Sequence, residues 1–380
     1  MKILFLSNIN FDNKRGVFNA VINRIKYIKN DLEDYNFINI IDRNVSYLEL
    51  FTKKHNKKIL NNIVVNELKN KVFFHRRVLK KININYFIRN NIKFIKKNIK
   101  YKNYDLIHAH WAYPIGYIAY KIKEKENIPY VLTVHGSDIH TNPKISKKIK
   151  KYTLIALENA EQVEFVSQNL LDYAIKELGY SGENACVIAN GIEEKYICDY
   201  KLLNKKKNKV GYIGNLIEIK GADRIPEIFT KIHLKNKKVD FIVVGDGVLK
   251  KQLCEKCNNN GIKVKFTGGI SQNEVLKILK DIDVLIIPSR NEGWPCIILE
   301  ANACGTYIVA TDVGGNREAI DNYGSVVKVD SNLLENMADE VVKVLDFNIN
   351  YKDIIERSRN FTWDKIKDQE LDLYKKILRR

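Results

Sequence analysis

Two glutamates, Glu292 and Glu300, stand eight residues apart in the stretch Pro288-Ser-Arg-Asn-Glu-Gly-Trp-Pro-Cys-Ile-Ile-Leu-Glu-Ala-Asn-Ala-Cys-Gly305. An apolar run, Val284–Ile287, reads as a buried strand that enters Pro288. A polar turn then holds Glu292, and Pro295 suits the start of a helix carrying Glu300. The carboxyl end of a strand is where open α/β sheets bind ligands. A carboxylate there can accept hydrogen bonds from two adjacent hydroxyls, so one could hold a sugar and the other a ribose. A hydrolase pair flanking a glycosidic bond is the competing use, but nothing in the sequence marks either carboxyl as a raised-pKa acid.

A phosphate device stands upstream. Gly211-Tyr-Ile-Gly-Asn-Leu-Ile-Glu-Ile-Lys220-Gly221 reads as strand, turn and helix start near Ala222. Glycine lets backbone approach a ligand, a helix start supplies N–H groups, and Lys220 adds a full charge. That set suits a diphosphate without a metal; a solvated Lys-Gly turn is the plain alternative. Gly245-Asp-Gly247 lacks the third glycine of a dinucleotide fingerprint, and no Walker pattern occurs. Thr311–Glu318 brings paired glycines to another strand end, and His135-Gly-Ser-Asp138 follows the apolar run Tyr130–Val134. His135 there is a plausible polar contact to substrate, or a core or capping histidine. His108 and His110 alternate onto one side of a strand end, so with His135 a three-histidine metal site is conceivable. Cys254 and Cys257 form a single C-x-x-C within a helical pattern, which fits packing better than metal or redox work.

These motifs need strand ends to carry them, and the chain supplies two sets. Apolar runs at Ile3–Ser7, Asp105–His108, Tyr130–Val134, Gln162–Val166 and Ala185–Ala189 alternate with amphipathic helical stretches. A second series follows at Val210–Ile213, Asp240–Val244, Val264–Thr267, Val284–Ile287 and Tyr307–Ala310. Alternating β and α segments predict an α/β fold with two doubly wound parallel sheets. The polar stretch Glu193–Lys209 is the expected seam. The expected domains are 1–195, 205–362, and a charged helix over 363–380 packing back on the first domain.

The 380 residues hold 64 Lys+Arg against 45 Asp+Glu, a net charge of +19. Residues 51–100 carry 15 basic side chains and one acid, Glu67, and so account for +14. An anionic partner is implied: nucleic acid, membrane surface or acidic polymer. Lysines outnumber arginines 51 to 13, a composition bias that inflates charge without function but leaves the missing acids in one window unexplained. Ile88, Ile92, Ile95 and Ile99 fall on one helical face there, and the window is read as a basic helical segment. No run of 18 apolar residues occurs, and the opening apolar stretch is too short for a signal peptide. Six scattered cysteines suit a reducing, cytoplasmic setting.

Taken together, the ordered motifs resemble the retaining glycosyltransferases of family 4, with the GT-B architecture: two Rossmann-like domains facing a cleft. Glu292–Glu300 is similar to the family's Glu-x7-Glu, Gly214–Gly221 to its diphosphate turn, and Asn190-Gly-Ile192 to its crossover. Thr311–Glu318 is similar to its Gly-Gly loop and His135–Asp138 to its histidine loop. The resemblance implies that Glu300 holds the ribose and Glu292 the hydroxyls of the transferred sugar. Lys220 would neutralise the diphosphate, helped by backbone N–H groups of Gly293 and Trp294. Gly214, Asn215, Gly245, Cys296 and Ile297 would complete the donor site. Gly16 would let the opposing lobe approach the phosphates, and His135 would reach the sugar from across the cleft. His110 and Asp138 would face the acceptor. Glu292, His135 and Lys220 are thus the implied catalytic set, with no cofactor, no metal and no enzyme nucleophile. Many relatives carry Arg where Asn215 stands, so a guanidinium clamp on phosphate is missing.

The expected activity is transfer of a hexose-type sugar from a nucleotide sugar, UDP-linked, to a lipid-diphosphate-linked or surface-polysaccharide acceptor. His110-Trp-Ala-Tyr-Pro114 with Glu292-Gly-Trp-Pro295 suggests a capsule, exopolysaccharide or teichuronic-type subtype. The enzyme would sit peripherally on the cytoplasmic face of the plasma membrane, its basic segment toward anionic lipid. A nucleotide-sugar epimerase or a phosphorolytic enzyme of the same architecture is the alternative. A nucleic-acid-binding protein is a further class, but no RNP motif, zinc finger or helix-turn-helix supports it.

Overall fold

The computed structural model describes residues 1–9, 16–43, 68, 70–76, 84–100, 103–203, 205, 208–347 and 349–379. The chain divides into two compact units, Met1–Ala189 with Trp363–Arg380, and Asn190–Thr362.

The first unit runs β1 (Lys2–Ser7), α1 (Val17–Ile28), β2 (Asp34–Arg43), β3 (Asn70–Arg76) and α2 (Ile84–Asn98). It continues β4 (Leu106–His110), α3 (Tyr117–Glu126), β5 (Tyr130–Val134), α4 (Lys147–Glu158), β6 (Gln162–Phe165), α5 (Gln168–Tyr173) and β7 (Ala185–Val187). Its seven strands, all parallel, lie in the order β3-β2-β1-β4-β5-β6-β7. The order reverses direction between β1 and β4. This switch point opens a crevice at the strands' carboxyl ends. β1, β4 and β5 are almost wholly buried, as strands covered on both faces require, and β4 carries two histidines among its apolar residues.

The second unit holds β8 (Lys209–Ile213), α6 (Ile225–Lys235), β9 (Asp240–Val244), α7 (Lys250–Asn259), β10 (Val264–Gly268) and α8 (Gln272–Asp281). After these come β11 (Val284–Ile287), α9 (Cys296–Ala303), β12 (Tyr307–Thr311), α10 (Asn316–Ile320), β13 (Ser325–Val327), α11 (Leu333–Asp346) and α12 (Tyr351–Ser358). Six parallel strands lie in the order β10-β9-β8-β11-β12-β13, with the switch point between β8 and β11. Its core joins Val210, Phe241, Val243, Val284, Ile286 and Val309 to the inner faces of α6 and α11.

The last helix, α13 (Trp363–Leu378), belongs to the first unit. Leu371, Tyr374 and Ile377 join the core around Ile3, Phe5 and Val21, while Trp363 and Ile366 pack with Ala20 and Ile188. Each such apolar side chain contributes about 1.5–3 kcal/mol by leaving water, enough to anchor the helix.

Two sequence expectations need correction. The window 51–100 is not helical throughout: Asn70–Arg76 is strand β3, paired in parallel with Phe37–Arg43 of β2. Its Val72-Phe73-Phe74 core favours strand, and the edge of a sheet supplies the partner. Residues 51–67, 69 and 77–83 of that window lie outside the described residues. Helix α2 does present Ile88, Ile92 and Ile95 as a buried stripe, continued by buried Ile99 just past its end, with Arg89, Lys93 and Lys97 exposed. The stretch Glu193–Lys209 belongs to the second unit, which begins at Asn190. It is pinned there by Cys198 N–H to the Ala303 carbonyl (2.9 Å) and by the Lys205 ammonium on the carbonyls of Leu279 and Ile282. A polar stretch reads as linker in sequence because those backbone partners are remote along the chain.

Candidate active site

In the second unit the turns after β8, β9, β11 and β12 gather at the switch point. Lys220 closes a short 3-10 turn after β8, Glu218–Lys220. Its ammonium lies 2.6 Å from Glu292 Oε2, and Ser289 Oγ donates to Glu292 Oε1 at 2.7 Å. Glu292 is buried while the Lys220 side chain remains one-third exposed. The pair thus has one wall in protein and one cation within reach of a ligand. The loop after β11 is stitched to the one after β8. Arg224 donates to the Pro288 carbonyl at 2.8 Å, and Arg290 grips Asp223 with two bonds of 2.6 and 2.7 Å.

Two glycines permit this closeness. Gly221 has φ 65°, and a Cβ on it would stand 1.8 Å from the Pro288 carbonyl oxygen. Gly314, in the paired-glycine loop after β12, has φ 52°, and its Cβ would stand 1.8 Å from the Glu292 carbonyl oxygen. Only hydrogen fits at either position, so Gly221 sets the Lys220 turn on β11 while Gly314 backs the Glu292 turn. Gly315 N–H reaches the same Glu292 carbonyl at 3.3 Å, and Thr311 Oγ1 donates to the Ser289 carbonyl at 2.7 Å.

The remaining expected donor residues of the second unit lie in the turns after β8 and β9 and on the helix after β11. Gly214 and Gly245 meet back to back: a Cβ on Gly245 would lie 1.8 Å from the Gly214 oxygen. Asn215 follows Gly214, its carbonyl accepting from Tyr212 Oη at 2.9 Å. Cys296 and Ile297 open α9. Among the described residues the backbone N–H groups of Gly293 and Trp294 have no acceptor, leaving two donors just ahead of that helix. The Trp294 indole is committed elsewhere, donating to the Asn190 carbonyl at 3.1 Å and packing on Phe361. Glu300, partly exposed on α9, is pushed up to about 7 by loss of solvent, then by Glu193, with Lys195 opposing. Gly16, in the first unit, starts α1 with φ 53° and open space where a Cβ would go.

In the first unit the ends of β4 and β5 place three imidazoles in a row. The His108 and His110 ring centres are 4.5 Å apart, and His110 and His135 are 5.5 Å apart with Nδ1 and Nε2 at 3.4 Å. Burial, with neighbouring imidazoles and Arg24, holds His108 and His110 well below the ordinary range. Burial and then Arg24 push His135 down to about 3. All three are neutral near pH 7. Among the described residues no group of three or more His, Cys, Asp or Glu side chains is arranged to hold a metal ion.

The two residues expected at the acceptor are buried. Asp138 is 0% exposed; it accepts N–H bonds from His135 (3.1 Å), Gly136 (2.9 Å) and Ala112 (3.2 Å). Its carboxyl is raised to about 6 by burial against those bonds. What Asp138 does here is tie the β4 loop to the β5 loop and so aim His135. His110 is likewise 0% exposed, an inner member of the row. In sequence Asp138 stood in a loop motif and His110 at a strand end, and packing turned both inward.

A buried network missed by sequence reading supports the row. His108 bonds the Tyr374 hydroxyl of α13 through Nδ1 and Thr133 Oγ1 through Nε2 at 2.6 Å. Thr133 donates to Glu164 at 2.8 Å, and Arg24 joins Glu164 (2.9 Å) to Glu370 of α13. Asn39 on β2 shapes the loop after β1, accepting from Ser7 Oγ (2.6 Å) and Ile9 N–H (2.9 Å). Isolated Arg, Glu and Asn give no sequence signal, because their partners come from strands and helices far along the chain.

Known proteins match this arrangement. Residues 49–196 match the family described as Glycosyltransferase Family 4, and residues 199–361 match Glycosyl transferases group 1. The chain belongs to the family 4 glycosyltransferases, and its two α/β units are those of the GT-B fold. Among its relatives is the uncharacterized glycosyltransferase MJ1178 of Methanocaldococcus jannaschii, 29% identical over 79% of this chain and 83% of that protein. The putative teichuronic acid biosynthesis glycosyltransferase TuaC of Bacillus subtilis is 33% identical over 56% of this chain and 54% of its own length. The solved structure of Anabaena Alr3699/HepE in complex with UDP superposes with a TM-score of 0.73 at 18% identity. That match covers 99% of this chain and 100% of the other.

Proposed function

We propose that the chain is a retaining hexosyltransferase that moves a sugar from a UDP-sugar to a lipid-linked or surface-polysaccharide precursor. The observation that carries this reading is the Lys220–Glu292 pair beside the unengaged N–H groups of Gly293 and Trp294. A lysine held by a carboxylate can exchange that partner for a diphosphate, and the freed Glu292 oxygen can then take sugar hydroxyls. As the glycosidic bond breaks, charge develops on the leaving diphosphate, and Lys220 with the two N–H groups stabilises it. Glu300 is assigned the ribose and His135 the transferred sugar, the latter as a neutral imidazole. The leaving phosphate takes the acceptor proton, so no enzyme base is named and no divalent metal is required. Support for the donor comes from the HepE structures with UDP and with UDP-glucose. Support for the acceptor comes from TuaC and from an Escherichia coli UDP-Gal:alpha-D-GlcNAc-diphosphoundecaprenol alpha-1,3-galactosyltransferase, 26% identical over 73% of this chain.

The proposed setting is the cytoplasmic face of a membrane, peripherally attached. Among the described residues no helix is long and apolar enough to cross a bilayer. The test is a nucleotide-sugar panel read by UDP release, with and without a diphospholipid acceptor and with EDTA. Transfer with retained anomeric configuration in EDTA is the expected result. Normal transfer by Glu292→Ala and Lys220→Ala variants would sink the assigned site, and epimerised donor formed without acceptor would replace transfer by epimerisation.

A further inference from the structure

Outside the basic window, one face of the first unit carries charge that the fold does not use. Residues 144–151, Lys-Ile-Ser-Lys-Lys-Ile-Lys-Lys, hold five lysines and no acid, over the turn before α4 and its first residues. None of the five meets a carboxylate among the described residues. Lys144 lies over the Tyr173 ring, Lys148 over the Tyr152 ring, and Lys150 reaches only the Glu177 carbonyl. Nearby acids are engaged or few: Glu158 accepts from Ser181, Asp172 from Gln168, and Glu177 remains exposed at the border. Ser146 caps α4 without help from these lysines, accepting from Ile149 N–H at 3.2 Å. Cations in the first turns of a helix oppose its dipole, so local folding disfavours them.

Apolar groups stand among the charges. Ile145 is 67% exposed in the middle of the run. Ile175, 42% exposed, follows Tyr173, on whose ring Lys144 sits. Tyr86, 48% exposed, adjoins Asn85, which accepts from Tyr152 Oη at 3.1 Å. Lysines alone would suit any polyanion. Lysines with exposed isoleucines and a tyrosine near them suit a bilayer interface, where ammonium groups meet phosphates and apolar side chains enter the acyl boundary. In the β5–α4–β6 crossover, α4 begins on the side of the sheet where β5 ends. The patch therefore shares an end of the unit with His110 and His135.

We propose that the Lys144–Lys151 face docks the protein on an anionic phospholipid bilayer. The inference takes its setting from the membrane reading above but rests on different residues, and the two fail separately. The experiment is flotation of the full chain with phosphatidylcholine vesicles with and without about one-third phosphatidylglycerol. Lys147/Lys148/Lys151→Gln is expected to weaken binding to the anionic vesicles about 100-fold, three lysines at the usual worth of a lysine near such a surface. Ile145→Asp alone should weaken it as well. Lys237/Lys238/Lys263→Gln in the second unit, removing the same charge elsewhere, should bind as the wild type does. UDP release from the preferred donor in solution should be unchanged in all three. Vesicle binding that none of the variants alters would leave the membrane reading standing and overturn this one. No binding to anionic vesicles would overturn both while leaving the transferase assignment intact. Binding of RNA or DNA, lost in the α4 variant with vesicles ignored, would reassign the patch to nucleic acid.

Discussion

Substituting Gly314 by alanine tests whether Glu292 is held where the chemistry needs it. The added Cβ would lie 1.8 Å from the Glu292 carbonyl oxygen, whereas real Cβ contacts essentially never fall below 3.0 Å. The two loops must therefore separate by roughly 1.2 Å, and a misplacement near 1 Å commonly costs about 100-fold in rate. At φ 52° the alanine also adds about 1–2 kcal/mol of backbone strain. Gly261→Ala separates the two effects: it carries the same kind of strain at φ 70° in the same unit, with nothing within 4 Å of its Cβ. The assay is UDP release from the preferred donor, beside thermal unfolding followed by circular dichroism. Both variants should unfold at lower temperature, while only Gly314→Ala loses turnover by about 100-fold. A folded Gly314→Ala protein with turnover within two-fold of wild type would refute the argument that this loop positions Glu292.

Lys220→Ala should weaken donor binding at least 10-fold by isothermal titration, the loss of one charge-assisted contact to phosphate, with Glu292→Gln reducing turnover more than affinity. Glu300 has its pKa raised from 4.5 to about 7, so the folded state binds a proton that the unfolded chain has released. Stability from this group falls as pH rises from about 4.5 to 7 and then levels, and Glu300→Gln should flatten that slope in urea titrations. His135, pushed down to about 3, gives the reverse sign: folding is penalised as pH drops below about 6.5, and the pH profile of transfer should show no imidazole step near neutrality. Arg24→Met leaves Glu164 and Glu370 buried without their cation and should cost about 3–5 kcal/mol, read as a lowered denaturant midpoint.

The helix–strand rhythm made both sheets legible in the sequence. Ten apolar runs correspond to observed strands, because buried parallel strands are apolar on both faces and stand out from polar loops. Strands β2, β3 and β13 escaped notice. In Asp34–Arg43 asparagines and aspartates interrupt the apolar residues, and Ser325–Val327 is three residues long. Lys220 and Glu292 drew notice in the sequence because phosphate and hydroxyl chemistry would call for those residue types at strand ends, and Gly314 because paired glycines stand at another strand end. Asp138 and His110, expected to face the acceptor, are both buried, and a polar residue at a strand end looks the same in sequence whether it faces a ligand or fastens a loop.

By itself, then, the sequence determined the two parallel sheets, the family, and the carboxylates and lysine gathered at the strand ends of the second unit. All of these rest on residue type and short-range spacing. Tertiary structure decided the rest: Lys220 meets Glu292 across 72 residues, and Arg24 meets Glu370 across 346. It also turned Asp138 inward and brought α13 to the first unit's core. Those outcomes depend on which loops the sheet order makes neighbours, and on whether a polar group finds a buried partner or water. Neither property is carried by a residue and its near neighbours alone.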